Sequence, residues 1–521
     1  MGTIRILTAG QMRWADQATI NSGVSGFVLM DRAGRAVASV VLEHIPDYGR
    51  VVIVAGPGNN GGDGFAAAHH LRKYRIPVTV VTLVSVDALS GDSRTHADLA
   101  VKAGVKVRTA SCVDEIGELE RWLSRSVLVV DALFGTGLCR NLDGLMAAAV
   151  ERINASGRPV LSIDIASGIC SDTGSVLGAA VKADITLPIA ASKWGHWMDA
   201  GRDYTGTLLD AADIGISDET MYNSWRHSCD CEDETNCFCV NSTSLINDGF
   251  LTRAWPKRPR LSHKGHFGHV RIYGGSPGFT GAPQLAGLGA YAGGAGLVSI
   301  VCPDVVWPVV AAGSKEIMVH PESIAPWHEA DALVTGPGWG QERKTLLATL
   351  LESDKPLVVD ADALNIIAAD VLLQEKLTTR KALTVMTPHP GEAARLLGVT
   401  VETIQSDRKR YVLELISRYA CWVVLKGSET LIASPERDIY LNPFGSPQLA
   451  IAGSGDVLSG MIGAQLARVA KGFGSAHLLI SAAVALHGKA GEQGGWYLAG
   501  ELAGAVAEIR QGIERGDGKG G

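Results

Sequence analysis

At 521 residues the chain is long enough for two to four domains, and a composition 46% hydrophobic and 19% charged excludes disorder. A formal charge of −7 argues against a nucleic-acid partner, whose phosphates need a positive surface. The 62 glycines follow no three-residue period, which excludes collagen, and nine cysteines are too few for a disulfide scaffold, so the cytoplasm is the expected compartment.

Arg5, Arg13 and Asp16 interrupt any apolar core near the start, so no targeting segment is expected. A first helix is predicted from Thr8, a suitable N-cap, through Trp14 and Ala18. A second spans 27–44, with Leu29, Ala33, Ala36, Val37, Val40 and Val41 on one side. Residues 51–55, 78–83, 127–131, 160–164 and 184–188 then read as buried strands between helical stretches, the pattern of a parallel sheet flanked by helices.

A polar, acidic break at 217–248 carries Cys229, Cys231, Cys237 and Cys239, with His227 beside them. Zinc sites favour C-x2-4-C pairs, whereas here two C-x-C pairs are five residues apart, so the stretch reads as a cysteine-rich linker. The strand–helix alternation restarts at 269–273, 297–301, 332–335, 356–360, 383–386 and 422–425, and apolar helices follow from Val457 and from about Ala476. The longest uncharged stretch, 272–303, holds nine glycines and three prolines. So many breakers predict loops and a short buried helix, and no membrane association is expected. The expected organisation is an α/β domain over 1–220, a linker over 221–249 and a second α/β domain over 250–521.

The densest signal is Gly56-Pro57-Gly58-Asn59-Asn60-Gly61-Gly62-Asp63-Gly64, between a strand and a helix. Glycines let backbone N–H groups approach an anion, and the helix start favours negative charge. The run does not match G-x-x-x-x-G-K-[ST], so it is not an NTPase phosphate loop. Asp131 leads into Gly135-Thr136-Gly137-Leu138, and Asp164 into Ser167-Gly168, each at a predicted strand end. In open parallel sheets ligands bind beyond these carboxyl ends, so the three turns should converge on one crevice.

These motifs resemble the NAD(P)H-hydrate epimerase family over about residues 8–220. The resemblance implies a Rossmann-like three-layer αβα fold and a potassium ion held by Asn60, Asp131 and Ser167. It further implies contacts to the hydrated cofactor from Asn59, Asn60, Gly61, Gly62 and Asp63, from Gly135, Thr136, Gly137, Leu138, Cys139, Arg140 and Asn141, and from Asp164. The family's Pro-Ser-Gly is Ala166-Ser167-Gly168 here, which keeps the proposed ligand. The hydrate carries water at C6 of its reduced ring, and its epimers interconvert by loss and return of that hydroxyl. Asp164 is the candidate acid and base.

In the second half, Gly453-Ser454-Gly455-Asp456 opens an apolar helix, where the Ser454 and Gly455 N–H groups can hold an anion and Asp456 can accept a hydroxyl proton. The same residues also suit an ordinary glycine-rich helix start with a stabilising Asp. The other candidate turns contain Gly336-Pro337-Gly338, Asp360-Ala361-Asp362, Thr387-Pro388-His389-Pro390-Gly391-Glu392 and Lys426-Gly427-Ser428-Glu429-Thr430. Together with 263–268 and 274–282 they resemble the ADP-dependent NAD(P)H-hydrate dehydratase family, of ribokinase-like fold, over about 250–510. The resemblance implies hydrate contacts from Ala282, Gly338, His389 and Asp456, nucleotide contacts from Lys426, Gly427, Ser428, Glu429, Thr430 and Gly455, and Asp456 as general base. Residues 442–451 depart from the family: Asn commonly follows the glycine matched by Gly445, Gly stands for Gln448 and Thr for Ile451.

The reading is therefore an isomerase and a lyase in one chain, repairing hydrated NADH and NADPH with ADP and Mg²⁺ in the second domain and K⁺ in the first. The expected partners are these small molecules and further copies of the chain, as a homo-oligomer. The other reading is a ribokinase-like small-molecule kinase fused to a nucleotide-binding Rossmann-like scaffold. The presence of both motif sets in one chain discriminates between them, because one epimer feeds the other site.

Overall fold

A computed structural model describes residues 4–45, 49–227, 240–255, 257–324 and 329–515; Cys229, Cys231, Cys237 and Cys239 lie outside them. The chain divides into one unit of Arg5–Cys239 and another of Val240–Gly521 with Met1–Ile4.

In the first unit Thr8 starts the helix Ala9–Asn21 through a capping box. Its hydroxyl accepts from the Gln11 N–H at 3.2 Å, and its own N–H donates to Gln11 Oε1 at 2.8 Å. The next helix, Gly26–His44, buries Leu29, Ala33, Val37 and Val41, with Ala36 and Val40 half-buried beside them. Seven parallel strands follow, in the spatial order Lys106–Thr109, Val78–Thr82, Val51–Ala55, Leu128–Ala132, Val160–Ile163, Ile185–Leu187 and Thr207–Leu208. The inner strands are buried at every position because apolar clusters cover both sheet faces, so they read as unbroken apolar runs. Lys106–Thr109 was not expected: it is a polar, exposed edge strand without that signal.

The strand order reverses between Val51–Ala55 and Leu128–Ala132, which run in register with Ala55 opposite Ala132. This switch point opens a crevice where the loops after both strands meet. Its closeness explains a glycine: a Cβ on Gly56 would stand 1.9 Å from the Leu133 carbonyl oxygen.

The second unit has strands in the order Met318–Pro321, Leu297–Cys302, His269–Tyr273, Ala332–Thr335, Leu357–Val359, Thr384–Met386, Trp422–Leu425, Thr430–Ala433, Asp438–Asn442 and Ser242–Leu245. Pairing is parallel except on both sides of Thr430–Ala433. The break read as a linker contributes structure at both ends, the helix Asp218–His227 and the strand Ser242–Leu245, which pairs with Asp438–Asn442. Its polar S-T-S-L sequence hides it, because only alternate residues are buried.

Here the order reverses between His269–Tyr273 and Ala332–Thr335. The glycine-rich 272–303 stretch supplies a strand end, the helix Gly281–Ala292 and the strand Leu297–Cys302. Its glycines serve helix packing. A Cβ on Gly289 would meet the Val457 carbonyl at 2.1 Å, and one on Gly460 would meet the Ala286 carbonyl at 1.8 Å, so Gly281–Ala292 and Ser454–Ala470 touch backbone to backbone. No helix among the described residues is long and apolar enough to cross a membrane.

Candidate functional site

The first switch point holds a cavity of about 450 Å³ lined by Asn59, Asn60, Asp63, Gly135, Thr136, Gly137, Leu138 and Asp164. Gly61 and Gly62 are not among its lining residues, and their Cβ positions would collide with the Gly56 carbonyl at 2.1 Å and with Met30 Sδ at 2.6 Å. Their small size serves the packing of the helix Asn59–Lys73, while Gly58, with nothing within 4 Å of its Cβ position, keeps the open approach expected of the whole run. Cys139, Arg140 and Asn141 are exposed beyond the last lining residue of their loop, Leu138.

Asp131 is fully buried and accepts four hydrogen bonds: from Ser167 Oγ at 2.7 Å, Ser162 Oγ at 2.8 Å, the Ser167 N–H at 2.9 Å and the Leu133 N–H at 3.2 Å. Burial pushes its carboxyl above the usual range, against the pull of these donors. Asn60, also buried, has no partner for either amide atom among the described residues. An unmade buried amide costs about 1–3 kcal/mol, so its oxygen is available to a ligand. A carboxylate, a hydroxyl and an unused amide oxygen are donor types that suit a hard cation.

Asp164 has a left-handed backbone, φ +70°, unusual for a side-chain-bearing residue. Such strain costs on the order of 1–3 kcal/mol and persists only where the surroundings enforce it. They do so here. The Asp164 N–H donates to the Leu187 carbonyl at 2.8 Å, and its own carbonyl accepts from His196 Nε2 at 2.8 Å. Its carboxylate accepts from the Thr136 N–H and the Ile189 N–H, each at 3.2 Å, and from Lys193 Nζ. His196 takes the Lys193 N–H on Nδ1 at 3.0 Å, and burial lowers its pKa to about 4, so the neutral ring ties the Lys193 turn to Asp164.

Lys193 and Asp16 were missed as site residues. Both line the cavity, and so does Asp92. A lone lysine between Ile189-Ala190-Ala191 and Trp194 was the available signal, because a charge in an apolar run calls for a buried partner. Asp16 counted in the sequence only against a leader segment. Burial raises its pKa to about 6, with Lys193 pulling it down and Asp164 pushing it up. Asp63 is raised well above the usual range, by burial first and then by Asp164 and Asp16.

At the second switch point, Gly274, Gly275 and Ser276 meet Gly336, Pro337 and Gly338. The Gly275 N–H donates to the Pro337 carbonyl at 3.0 Å, and Ser276 Oγ to the Gly338 carbonyl at 2.9 Å. Gly338 (φ +59°) lies so near Ala282 that a Cβ would approach the Ala282 methyl to 2.9 Å, which brings these two predicted residues together. A charged cluster is assembled from further strand ends. Lys426 Nζ donates to Asp360 Oδ1 at 2.9 Å and lies 3.8 Å from Glu392 Oε2 and 3.6 Å from the Cβ position of Gly455. Burial works to lower the Lys426 ammonium, but Asp360 and Glu392 outweigh it and hold its pKa above the ordinary value.

Asp456 lies in the first turn of Ser454–Ala470, which has no side-chain cap. Its pKa rises to about 7, by burial first, with Asp360, Asp362 and Glu392 adding to the rise and Lys426 opposing it. Glu392 also rises to about 7, again through burial. His389 caps Pro390–Leu397: its Nδ1 accepts the Gly391 N–H at 3.0 Å, and its own N–H donates to Glu392 Oε2 at 2.8 Å. Burial and then Lys426 lower its pKa. The 426–430 turn is partly self-satisfied, with Ser428 Oγ on Glu429 Oε2 at 2.5 Å and Thr430 Oγ1 on the Gly427 carbonyl at 3.1 Å. Buried Arg408, missed in the sequence, braces the turn from below through the Leu425 and Lys426 carbonyls, and a Cβ on Gly427 would strike it at 2.4 Å. His487, also missed, anchors the helix start by its Nε2 at 2.9 Å from the Ser454 carbonyl.

Residues 26–195 match a family model described as YjeF-related protein N-terminus, and residues 270–495 one described as NAD(P)H-hydrate dehydratase. Relatives with the name bifunctional NAD(P)H-hydrate repair enzyme Nnr include that of Moorella thermoacetica, 36% identical over 484 residues, covering 88% of this chain and 87% of that protein. That of Escherichia coli is 34% identical over 453 residues, covering 85% and 81%. Among solved structures, an ADP/ATP-dependent NAD(P)H-hydrate dehydratase from Bacillus subtilis, co-crystallised with ATP/Mg²⁺, is 30% identical, covering 51% of this chain and 97% of that one with a TM-score of 0.46.

Proposed function

The chain belongs to the bifunctional NAD(P)H-hydrate repair enzymes, and on that basis we propose how its two sites divide the work. The enzyme is an NAD(P)H-hydrate epimerase in its N-terminal half and an ADP-dependent NAD(P)H-hydrate dehydratase in its C-terminal half. The observation that carries the division is the presence in one chain of two differently equipped residue sets, a cavity lined by oxygen donors and an acid pair with Lys193, and a charged cluster of Asp456, Lys426, Asp360 and Glu392 at a helix start without a side-chain cap among the described residues. Residues 1–220 and 250–521 are taken as the two catalytic domains, with 221–249 between them.

In the first site Asn60, Asp131 and Ser167 would hold potassium, a reading supported by the unpartnered Asn60 amide. Bound there, the ion would add fixed positive charge beside the hydrate's binding site. Asn59, Asn60, Asp63, Thr136 and Asp164 face the hydrate, and Asp164 moves protons at the C6 hydroxyl. Asp131→Ala should therefore slow conversion of the epimer that the dehydratase does not accept, with partial rescue by high potassium. The carboxylate is the only full charge in the donor set, so its loss should weaken cation binding more than Asn60→Ala or Ser167→Ala. Rates of both epimers with and without potassium check this, and equal loss on both would indicate misfolding instead.

In the second site Asp456 removes the proton of the ring hydroxyl, whose oxygen attacks the terminal phosphoryl group of ADP, releasing AMP. The ring nitrogen's lone pair then expels phosphate from C6, and loss of a C5 proton restores the dihydropyridine. The first-turn N–H of Gly455 and the Lys426 ammonium favour the phosphates. Mg²⁺ on the nucleotide would neutralise phosphate charge, and the carboxyls of Asp360, Asp362 and Glu392, which add to the effect of burial on Asp456, are the kind of acidic surrounding that a cation relieves. Incubating the full chain with mixed hydrate epimers, ADP, Mg²⁺ and K⁺ should return the absorbance of reduced nicotinamide from both epimers. Return from one epimer alone would count against the epimerase half, and no return against the dehydratase half.

A further inference from the structure

Loss and return of a hydroxyl with inversion at C6 makes a demand that a single acid–base group meets poorly. Hydroxide leaves one face of the ring and needs a proton there, while the incoming water loses a proton on the other face. Asp164 lines the cavity with both carboxylate oxygens accepting hydrogen bonds, from Lys193 and from two backbone N–H groups, and is the group already assigned to move a proton on one face. One carboxyl cannot serve both faces of the ring at once, so the cavity needs a second one.

Asp16 provides one. It sits on the helix Ala9–Asn21, ahead of the residues matched by the family model, and so reaches the cavity from a different element than the strand ends. It is half-buried, and no hydrogen bond contributes to its ionisation among the described residues. The charged groups lining the cavity around it are Arg13 on its own helix, Asp63, Asp92, Asp164 and Lys193. Resting on the epimerase reading above, we propose that Asp16 is a second catalytic residue of that site, donating the proton to the departing C6 hydroxyl while Asp164 receives the proton of the water that adds back.

The step balances. The C6–O bond breaks with its pair going to oxygen, which takes the Asp16 proton and leaves as water. The ring nitrogen's lone pair forms the C6 iminium, and a water adds to the opposite face and gives one proton to Asp164. In the reverse direction the two carboxyls exchange roles. Two carboxyls in unlike surroundings are the general signature of such an acid–base division. The raised Asp16 pKa of about 6 keeps a proton available near neutrality, whereas an ordinary exposed aspartate would hold almost none.

The test uses the full chain, potassium and purified hydrate epimers, from pH 5.5 to 8.5, with the spontaneous rate subtracted. For the wild type, enzymatic kcat/KM in the direction where Asp16 donates should fall about tenfold per pH unit above about 6, because only the protonated form acts. Asp16→Asn should lower that rate by about 10²–10⁴-fold and remove this pH limb, while dehydration of the accepted epimer continues at the wild-type rate. Asp16→Glu should restore part of the rate together with the limb. Asp16→Asn enzyme that epimerises at the wild-type rate, or more slowly with the limb intact, would overturn the assignment. A wild type that interconverts no hydrate at any pH would instead sink the epimerase reading beneath it.

Discussion

Asp456→Asn lowers dehydration by about 10²–10⁴-fold and leaves epimerisation unchanged, the expected loss for removing a positioned general base. Asn keeps the shape of the side chain but cannot accept the hydroxyl proton. The surroundings suit Asp456 to this role at neutral pH: burial, then Asp360, Asp362 and Glu392, raise its pKa to about 7 against the opposing ammonium of Lys426. A base must be ionised to act, so wild-type dehydration should rise about tenfold per pH unit up to about 7 and level off above it. Glu392 titrates in the same range, so the limb alone does not assign the group. The residual activity of Asp456→Asn decides the assignment: a limb that survives belongs to Glu392, and a full wild-type rate removes Asp456 from the chemistry. The recovery of reduced nicotinamide absorbance measures both.

Lys193→Met destabilises the N-terminal unit by about 3–5 kcal/mol and abolishes epimerisation. The change leaves the buried Asp164 carboxylate without its ammonium, and breaking a buried ion pair costs this much because the remaining charge is uncompensated. The backbone strain at Asp164 adds to the expectation, since φ +70° is held partly by the same turn. The double variant Lys193→Met with Asp164→Asn should recover much of the stability, because no lone charge is then buried, yet regain no activity. Two separately followed unfolding transitions check this, one for each unit. A single variant as stable as the wild type would mean that water or another cation already serves Asp164, and would withdraw Lys193 from its positioning role. Recovery of activity by the double variant would remove Asp164 as the proton-moving group.

The fold was legible in the sequence where burial on both sheet faces leaves unbroken apolar runs. Val51–Ala55 and Trp422–Leu425 read directly as strands for that reason, and Thr8 and Gly26–His44 through cap chemistry and helical period. Edge strands were not legible. Lys106–Thr109 and Ser242–Leu245 owe their extended form to a neighbouring strand's hydrogen bonds, and no residue of theirs announces it. The turns at Asn59–Asp63, Asp131, Asp164 and Asp456 stood out because glycines and acids at strand ends are locally unusual. Their placement at the carboxyl ends of two sheets follows from parallel strand order with a switch point in each. What only the tertiary structure decided was each charge's partner. Lys193 meets Asp164 across 29 residues, Lys426 meets Asp360 across 66, and Asp16 reaches the cavity from the first helix. A carboxylate's ionisation depends on the charges and solvent within a few ångströms, and sequence separation carries no information about either.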